Sequence, residues 1–302
     1  MTLEQLRIFV EVAERQHLTQ AAAALFLTPS AVSAAIRNLE ERYDLALFNR
    51  VGRRIELSSA GQVFLQEAKR TLASIRTLEN TLAELGGLGR GSLTLHASQT
   101  VSNYWLPPLL VRFRQAHPAI ELRMEVGNTE QVSQAVLSGS ADLGFVEGAI
   151  GASALAVEAV QEDRMVVVVA PDHPWADGRA LTPADLLGAR WILRETGSGT
   201  RSAFAAALHG LGVEAEGLDV ALELPSNEAV RSAVTAGPFA TAMSALVVAA
   251  PLRAGMLALA NVTLPSREFS MLRHPARHRS RAAAAFEALA RADLREGAGP
   301  GA

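Results

Sequence analysis

LTQAAAALFLTPSAVSAAIRNLEERYDLALFNRVGRRIELS, residues 18–58, is the stretch whose reading decides the fold. Thr19 is placed to cap a short alanine-rich helix, Gln20 to Leu25, whose small side chains permit close approach of neighbouring helices. Phe26 and Leu27 make a turn. Thr28 is then a good N-cap, followed by Pro29 at the first helical position, where its missing N–H costs nothing. From Pro29 to Tyr43 the apolar residues Val32, Ile36, Leu39 and Tyr43 recur at i, i+4, i+7 and i+11, the spacing of a core-facing stripe. Ser30, Ser33, Ala34, Arg37 and Glu41 fall on the opposite side. From Asp44 to Ser58 a hairpin is expected. Leu45, Leu47 and Phe48 anchor it, Gly52 turns it, Ile55 and Leu57 alternate with polar residues, and Arg50, Arg53 and Arg54 sit at its tip. A short helix, a tight turn, a longer helix and a basic hairpin together read as a winged helix-turn-helix.

A helix face of small hydroxyls and one arginine, entered at its N-terminus, suits the DNA major groove. Thr28 and Ser30 are placed for phosphates and Ser33 and Arg37 for base edges or backbone. Three arginines at a hairpin tip suit sugar-phosphate or the minor groove. An amphipathic helix alone reads more readily as a solvated surface helix; the cap, the preceding helix and the wing reverse that preference. The net charge of the chain is −3, and residues 1–58 hold seven Arg against six Glu and one Asp. Any electrostatic footprint for nucleic acid is therefore local.

Upstream, Leu3, Leu6, Phe9, Val10 and Ala13 give residues 3–14 an apolar helical face. Downstream, a helix is expected from Ser59 to Leu85. Its Leu65, Ala68, Leu72, Ile75 and Leu82 form a coiled-coil seam, widened by Leu78 and Leu85, which points to homodimerisation. GGLGRG, 86–91, lacks the lysine and hydroxyl of a phosphate-binding loop and reads as a hinge.

From Ser92 the pattern changes. Strands are expected at 92–97, 120–127 and 142–148, with helices at 104–117 and 129–138 between them. A second set follows, with strands at 165–170, 191–195, 218–224 and 239–243 and helices from Thr200, from Asn227 and after residue 243. A strand at 267–273 and a helix at 280–294 close the chain. The β-α-β order implies parallel sheets and a two-lobed α/β domain with a cleft at the strand ends. Three polar loops lie there: SQTVSN (98–103), EG (147–148) and ETGSGTR (195–201). Small residues, hydroxyls and Arg201 at a helix start suit a small anion.

The 302 residues call for two or three domains. A hydrophobic share of 49% with 20% charged residues describes a folded chain rather than a disordered one. There is no cysteine, which excludes disulfides and thiolate metal sites and fits a cytoplasmic protein. The N-terminus lacks the form of a signal peptide. The uncharged run 232–252, apart from its flanking arginines, is interrupted by Gly237, Pro238 and Pro251 and reads as a buried strand and helix, so no membrane association is expected. An enzyme is disfavoured: there is no GxSxG elbow and no P-loop, and His274 and His278 stand amid Pro and Arg in RHPARHRSR, 273–281. No cofactor and no metal are expected. A small-molecule-binding protein on the same two-lobed fold is the other alternative, and the N-terminal 58 residues argue against it.

On LEQLRIFVEVAE, LTQAAAALFLTPSAVSAAIRNLEERYDLALFNR, GRRIELSSAG and the long helix, the sequence resembles the LysR-type transcriptional regulators over nearly its whole length. SQTVSNYWLPPLL, VGNTEQVSQAVLSGSADLGFVEG and WILRETGSGTR look most like the CysL/YeiE-like subgroup, which is linked to sulfur metabolism. The resemblance implies a winged helix-turn-helix (1–58), a dimerisation helix and hinge (59–91) and an effector-binding domain of the periplasmic-binding-protein type (92–302). Lobe 1 would cover about 92–162 plus 268–295 and lobe 2 about 163–267, with crossover strands near 161–165 and 263–268. It implies a homodimer or tetramer on double-stranded promoter DNA, contact with RNA polymerase, and a small effector, with a sulfur oxyanion such as sulfite as the candidate. Carried over, the DNA face is Thr28, Pro29, Ser30, Ser33, Ala34, Arg37, Arg50, Arg53 and Arg54. The effector residues are Ser98, Thr100, Asn103, Glu147, Ser198, Thr200, Arg201 and Asn227. Two departures stand out: Ala34, where many relatives carry a long polar residue, and AGPFATAM (236–243), whose Pro238 replaces a glycine-rich strand entry.

Overall fold

The computed structural model describes residues 1–51, 54–85, 91–151 and 154–297. The chain forms two compact units, Met1–Gly86 with Ser138–Ser140, and Gly87–Leu137 with Ala141–Ala302. The first contains α1 (Leu3–Arg15), α2 (Leu18–Ala24), α3 (Pro29–Tyr43), the hairpin β1 (Phe48–Val51) and β2 (Arg54–Leu57), and α4 (Ser59–Leu85).

Each early helix has a local cause. A reciprocal pair between Thr2 and Gln5 starts α1. His17, not Thr19, caps α2: the Ala21 N–H already bonds the His17 carbonyl at 3.0 Å, so the ladder begins upstream and Thr19 lies inside the helix. Phe26 and Leu27 donate back to Ala23 and Ala22 at 3.2 and 2.9 Å, which closes α2 with Phe26 in the left-handed region, φ 55°. Thr28 then caps α3, its hydroxyl accepting from the Ala31 N–H at 3.2 Å. The wing is tied to α3 by Glu40, whose carboxylate accepts from the Leu47 and Phe48 N–H groups at 2.8 and 3.1 Å. Gly61 is required at the start of α4, because a Cβ there would lie 2.1 Å from the Leu47 carbonyl oxygen.

The core of this unit gathers Leu6, Phe9, Val12, Ala21, Ala22, Val32, Ile36, Leu39 and Leu47. Two expected anchors are outside it: Tyr43 is 54% exposed and Leu45 48%. Asp44 adopts left-handed backbone and ends α3 there, so the stripe stops at Leu39. The expected seam on α4 also divides. Leu65, Ala68 and Leu72 pack on the unit's own core, whereas Leu78 and Leu82 stay about three-fifths exposed.

The second unit holds two five-stranded sheets. In chain order its elements are β3 (Gly91–Ser98), α5 (Gln99–Tyr104), α6 (Leu106–Ala116), β4 (Ile120–Gly127), α7 (Thr129–Ser138), β5 (Leu143–Glu147), β6 (Ala156–Asp163), β7 (Met165–Val169), α8 (Pro183–Gly188), β8 (Arg190–Arg194), α9 (Gly199–Gly210), β9 (Asp219–Leu224), α10 (Asn227–Thr235), β10 (Ala240–Ser244), α11 (Ala245–Arg253), β11 (Ala258–Leu259), β12 (Arg267–Arg273) and α12 (Arg281–Gly297). The first sheet runs β4-β3-β5-β12-β6 and the second β11-β7-β10-β8-β9. Neither is wholly parallel, contrary to the expectation from element order. β12 runs antiparallel to β5 and β6, and β7 antiparallel to β10, because the chain leaves the first sheet and returns to it. The exit is at Asp163, two residues before β7 begins, and the return is at Arg267, where β12 begins opposite Asp163.

Phe113, Phe145, Phe269 and Phe286 centre the core of the first lobe, and Trp175, Trp191 and Phe204 that of the second. The segment 98–103, expected as a loop, is largely the helix α5. The eight-residue strand β6 was expected only at its end, near 161–163, and the two-residue β11 and the helix α8 were not anticipated.

Candidate functional site

The exposed face of α3 carries Thr28, Pro29, Ser30, Ala34 and Arg37, with Ser33 half-buried beside them. Thr28 and Ser30 join their hydroxyls at 3.0 Å across the helix N-terminus. Alternation of buried Val32, Ile36 and Leu39 with these residues is what turns them outward. Arg50 lies in β1 opposite Ile55, and Arg54 in β2 opposite Val51. Arg53 falls outside the described residues.

In the second unit, polar residues from both lobes meet where β3, β5, β8 and β12 end or begin. Ser98 closes β3 and donates its hydroxyl to the Glu147 carboxylate at the end of β5. Thr200, in the first turn of α9, donates to the other Glu147 oxygen at 3.3 Å. Across the lobes, Asn227 Nδ2 donates to Thr100 Oγ1 at 3.1 Å, and the Asn227 N–H donates to Gln99 Oε1 at 3.0 Å. Ser98, Thr100, Glu147, Ser198, Thr200 and Asn227 are all buried. The backbones are pressed together as well. A Cβ on Gly199 would sit 1.7 Å from the Glu147 carbonyl oxygen, so the turn that brings Thr200 to Glu147 needs glycine there.

Three carried-over residues, Asn103, Ser198 and Arg201, make no side-chain bond within this cluster. Asn103 is exposed and its side chain accepts from the neighbouring Ser102 hydroxyl at 3.1 Å. Arg201 turns towards Glu223 and the Arg194 carbonyl, the latter at 3.0 Å. With Ser198 it lines a groove of about 660 Å³ between α7 and α9 instead.

Several residues that matter here were not picked out from the sequence. Arg194 holds Asn227 Oδ1 at 2.7 Å and pairs with Glu195 through two nitrogens. Burial works against the charge on Glu195, but the Arg194 bonds outweigh it and hold that carboxyl below its ordinary value. Arg267 pairs with Asp163 at 2.8 Å and donates to Thr200 Oγ1 at 3.2 Å, while Ser244 donates to Asp163 at 2.6 Å. Burial pushes the Asp163 carboxyl up; Arg267 and Ser244 oppose this in part, and the nearby Glu147 adds to it. A charged residue within the apolar run of β8 was the available signal for Arg194. None was available for the pairing of residues 163 and 267, which lie 104 positions apart.

Comparison with known families agrees with both halves of this geometry. Residues 3–62 match the bacterial regulatory helix-turn-helix protein model of the lysR family, and residues 86–295 match the LysR substrate binding domain. The chain belongs to the LysR family of transcriptional regulators. It is 35% identical over 288 residues to the uncharacterized HTH-type transcriptional regulator YeiE of Escherichia coli (strain K12), covering 95% of this chain and 96% of that one. The full-length LysR fold recurs in CbnR complexed with its target DNA, with a TM-score of 0.70 at 21% identity, covering 97% of this chain and 100% of that one. The regulatory domain of Synechocystis PCC6803 CcmR in complex with 2-PG matches with a TM-score of 0.62 at 26% identity, covering 68% of this chain and 98% of the other. As a LysR-type regulator, the chain is a DNA-binding protein whose second domain receives a small-molecule effector. Among the described residues no single helix is long and apolar enough to cross a membrane.

Proposed function

We propose that this LysR-type regulator reads promoter DNA as a homodimer or tetramer and changes its hold on that DNA when a small anion enters the interlobe cluster. The observation that carries this reading is the pair of bonds crossing the lobes, Thr100 to Asn227 and Glu147 to Thr200. A ligand that exchanges these bonds for its own alters how the lobes are held, and only differential contacts of this kind shift a conformational equilibrium. The CcmR domain described with 2-PG supports a small-molecule effector in this fold. A sulfur oxyanion such as sulfite is the candidate ligand. Ser98, Thr100, Glu147, Ser198, Thr200 and Asn227 are its proposed contacts, with Asn103 and Arg201 outside them.

On the DNA side, the proposed contacts are Thr28, Pro29, Ser30, Ser33, Ala34 and Arg37 in the major groove and Arg50, Arg53 and Arg54 on the backbone. Dimerisation is assigned to α4. Leu78 and Leu82 are exposed apolar residues on it, and Thr71, Ser74, Thr77 and Thr81 all return their hydroxyls to the carbonyl four residues back. The proposed limits are 1–58 for the reader, 59–91 for the dimerisation helix and hinge, and 92–302 for the effector domain. The protein would act in the cytoplasm, alongside RNA polymerase, by binding rather than catalysis.

Thermal unfolding of the full chain with and without sulfite tests the effector reading. Sulfite is expected to raise the melting temperature, and Thr100→Val to abolish the rise. If no small oxyanion at millimolar concentration moves the transition, the anion reading is wrong.

A further inference from the structure

We infer that the anion accepted by the interlobe cluster must carry a proton, and that Glu147 is the group that demands it. This rests on the effector reading above and narrows its chemistry. Ser98 and Thr200 are the two hydroxyls bonded to the Glu147 carboxylate, and each has one proton to give. Both protons are already given to Glu147, whose carboxylate is 2% exposed. An incoming oxyanion that takes either hydroxyl deprives a buried carboxylate of a donor and adds a second negative charge beside it. Leaving a buried acceptor unpaired is costly, and more so when it is charged.

Arg267 partly answers the charge. Its side chain is 7% exposed; Nε holds Asp163, and Nη1 donates to Thr200 Oγ1. Its Nη2 is buried with no hydrogen-bond partner, a donor available to an anion oxygen beside Thr200. Arg267 is nevertheless matched by Asp163, and Arg194 by Glu195, so Glu147 has no dedicated cation among these pairs. The deficit is met if the ligand itself donates an O–H to Glu147. Its other oxygens then take Arg267 Nη2 and the hydroxyls released from Glu147. The site so arranged accepts hydrogen phosphate, bicarbonate or bisulfite, which keep an O–H at neutral pH, and rejects sulfate, which does not. A site built around a hydrogen-bond partner discriminates strongly against a near-isostere lacking it.

Inorganic phosphate and sulfate, titrated into the full-length protein by calorimetry at matched ionic strength, test this. Phosphate is expected to bind roughly tenfold or more tighter than sulfate, the scale of one buried charge-assisted hydrogen bond. Glu147→Gln supplies an amide N–H to a fully ionised anion, so the preference should collapse, chiefly through a gain in sulfate binding. Sulfite guards against a misfit of phosphate. Its wild-type affinity should fall as pH rises and its O–H is lost, and this pH dependence should flatten in Glu147→Gln. Equal binding of sulfate and phosphate, unchanged by Glu147→Gln, overturns the proton requirement while leaving an anion site intact. Binding of none of the three overturns the effector reading itself.

Discussion

The reading face of α3 and the polar cluster between the lobes use the same side chains, threonine, serine and arginine, in opposite circumstances. On α3 they are exposed and lie within ten residues of one another, their bonds are local, and the rest of the domain merely holds the helix up. Between the lobes they are buried, and the bonds that join distant segments span 33 positions from Arg194 to Asn227 and 127 from Asn227 to Thr100. An exposed hydroxyl is free to meet a ligand at little cost to the fold. A buried one is part of the fold until a ligand replaces its partner. Binding and stability are thus separable in the first region and coupled in the second.

The largest effect should come from the buried pair. Arg267→Leu leaves Asp163 without its cation and should cost about 3–5 kcal/mol at neutral pH. Urea unfolding followed by tryptophan fluorescence reads this cleanly, because Trp105, Trp175 and Trp191 all lie in the effector-domain unit. Burial already raises the Asp163 carboxyl above 3.8, so its ionisation opposes folding progressively as pH climbs from 3.8 through the folded value. Losing Arg267 extends that decline to higher pH, and the cost of the variant should shrink in acid. In contrast, Arg37→Leu should stay within about 0.5 kcal/mol of wild type while weakening DNA binding. Comparable destabilisation by both would contradict the separation of binding from stability on α3.

Next comes the wing. Replacing Arg50, Arg53 and Arg54 together by alanine should reduce the slope of log affinity against log salt by about 2.7 if all three neutralise phosphates. An unchanged slope would remove the wing from the DNA contacts. Smaller still is the cap. Thr28→Ala should lower stability by about 1 kcal/mol, and Thr19→Ala by no more than about 0.5, because only Thr28 accepts an N-terminal amide. The smallest effect is expected at Glu158. The Arg291 guanidinium holds its carboxyl below 4.5 against the opposing effect of partial burial. Its contribution to stability is therefore present above pH 4.5 and is lost as pH falls through the lower folded value. Glu158→Gln, which leaves the Arg291 bond to buried Glu287 in place, should make the acid limb of a pH–stability curve shallower.

The same contrast explains what was legible in the sequence. The helix-turn-helix could be read because its signals are local: Thr28 and Pro29 mark a helix start, and Val32, Ile36 and Leu39 give the periodicity. Where a local rule failed, a neighbouring backbone bond had already decided the matter, as His17 displaced Thr19 and Asp44 ended α3 before Tyr43 could turn inward. The order of strands and helices gave two α/β lobes but not the direction of β12, which depends on the chain returning to a sheet it left at Asp163. The carried-over residues Ser98, Thr100, Glu147, Thr200 and Asn227 come together. Asn103 does not, since α5 turns it outward. Arg194, Asp163 and Arg267 were missed because their roles exist only through long-range pairing. On α4 the heptad pattern ran through Leu65, Ala68 and Leu72 without showing that these cover the chain's own core.

Central to all of this is the separation of reader from sensor, and Thr200→Val tests it most directly. The variant removes the hydroxyl shared by Glu147 and Arg267 and leaves α3 untouched. Promoter fragments recovered by genome-wide mapping would be titrated with wild type and variant by fluorescence anisotropy, with and without sulfite. The expected result is equal affinity for DNA in the absence of sulfite and a sulfite-dependent change in wild type alone. Loss of DNA affinity in the variant with its response to sulfite intact would contradict it.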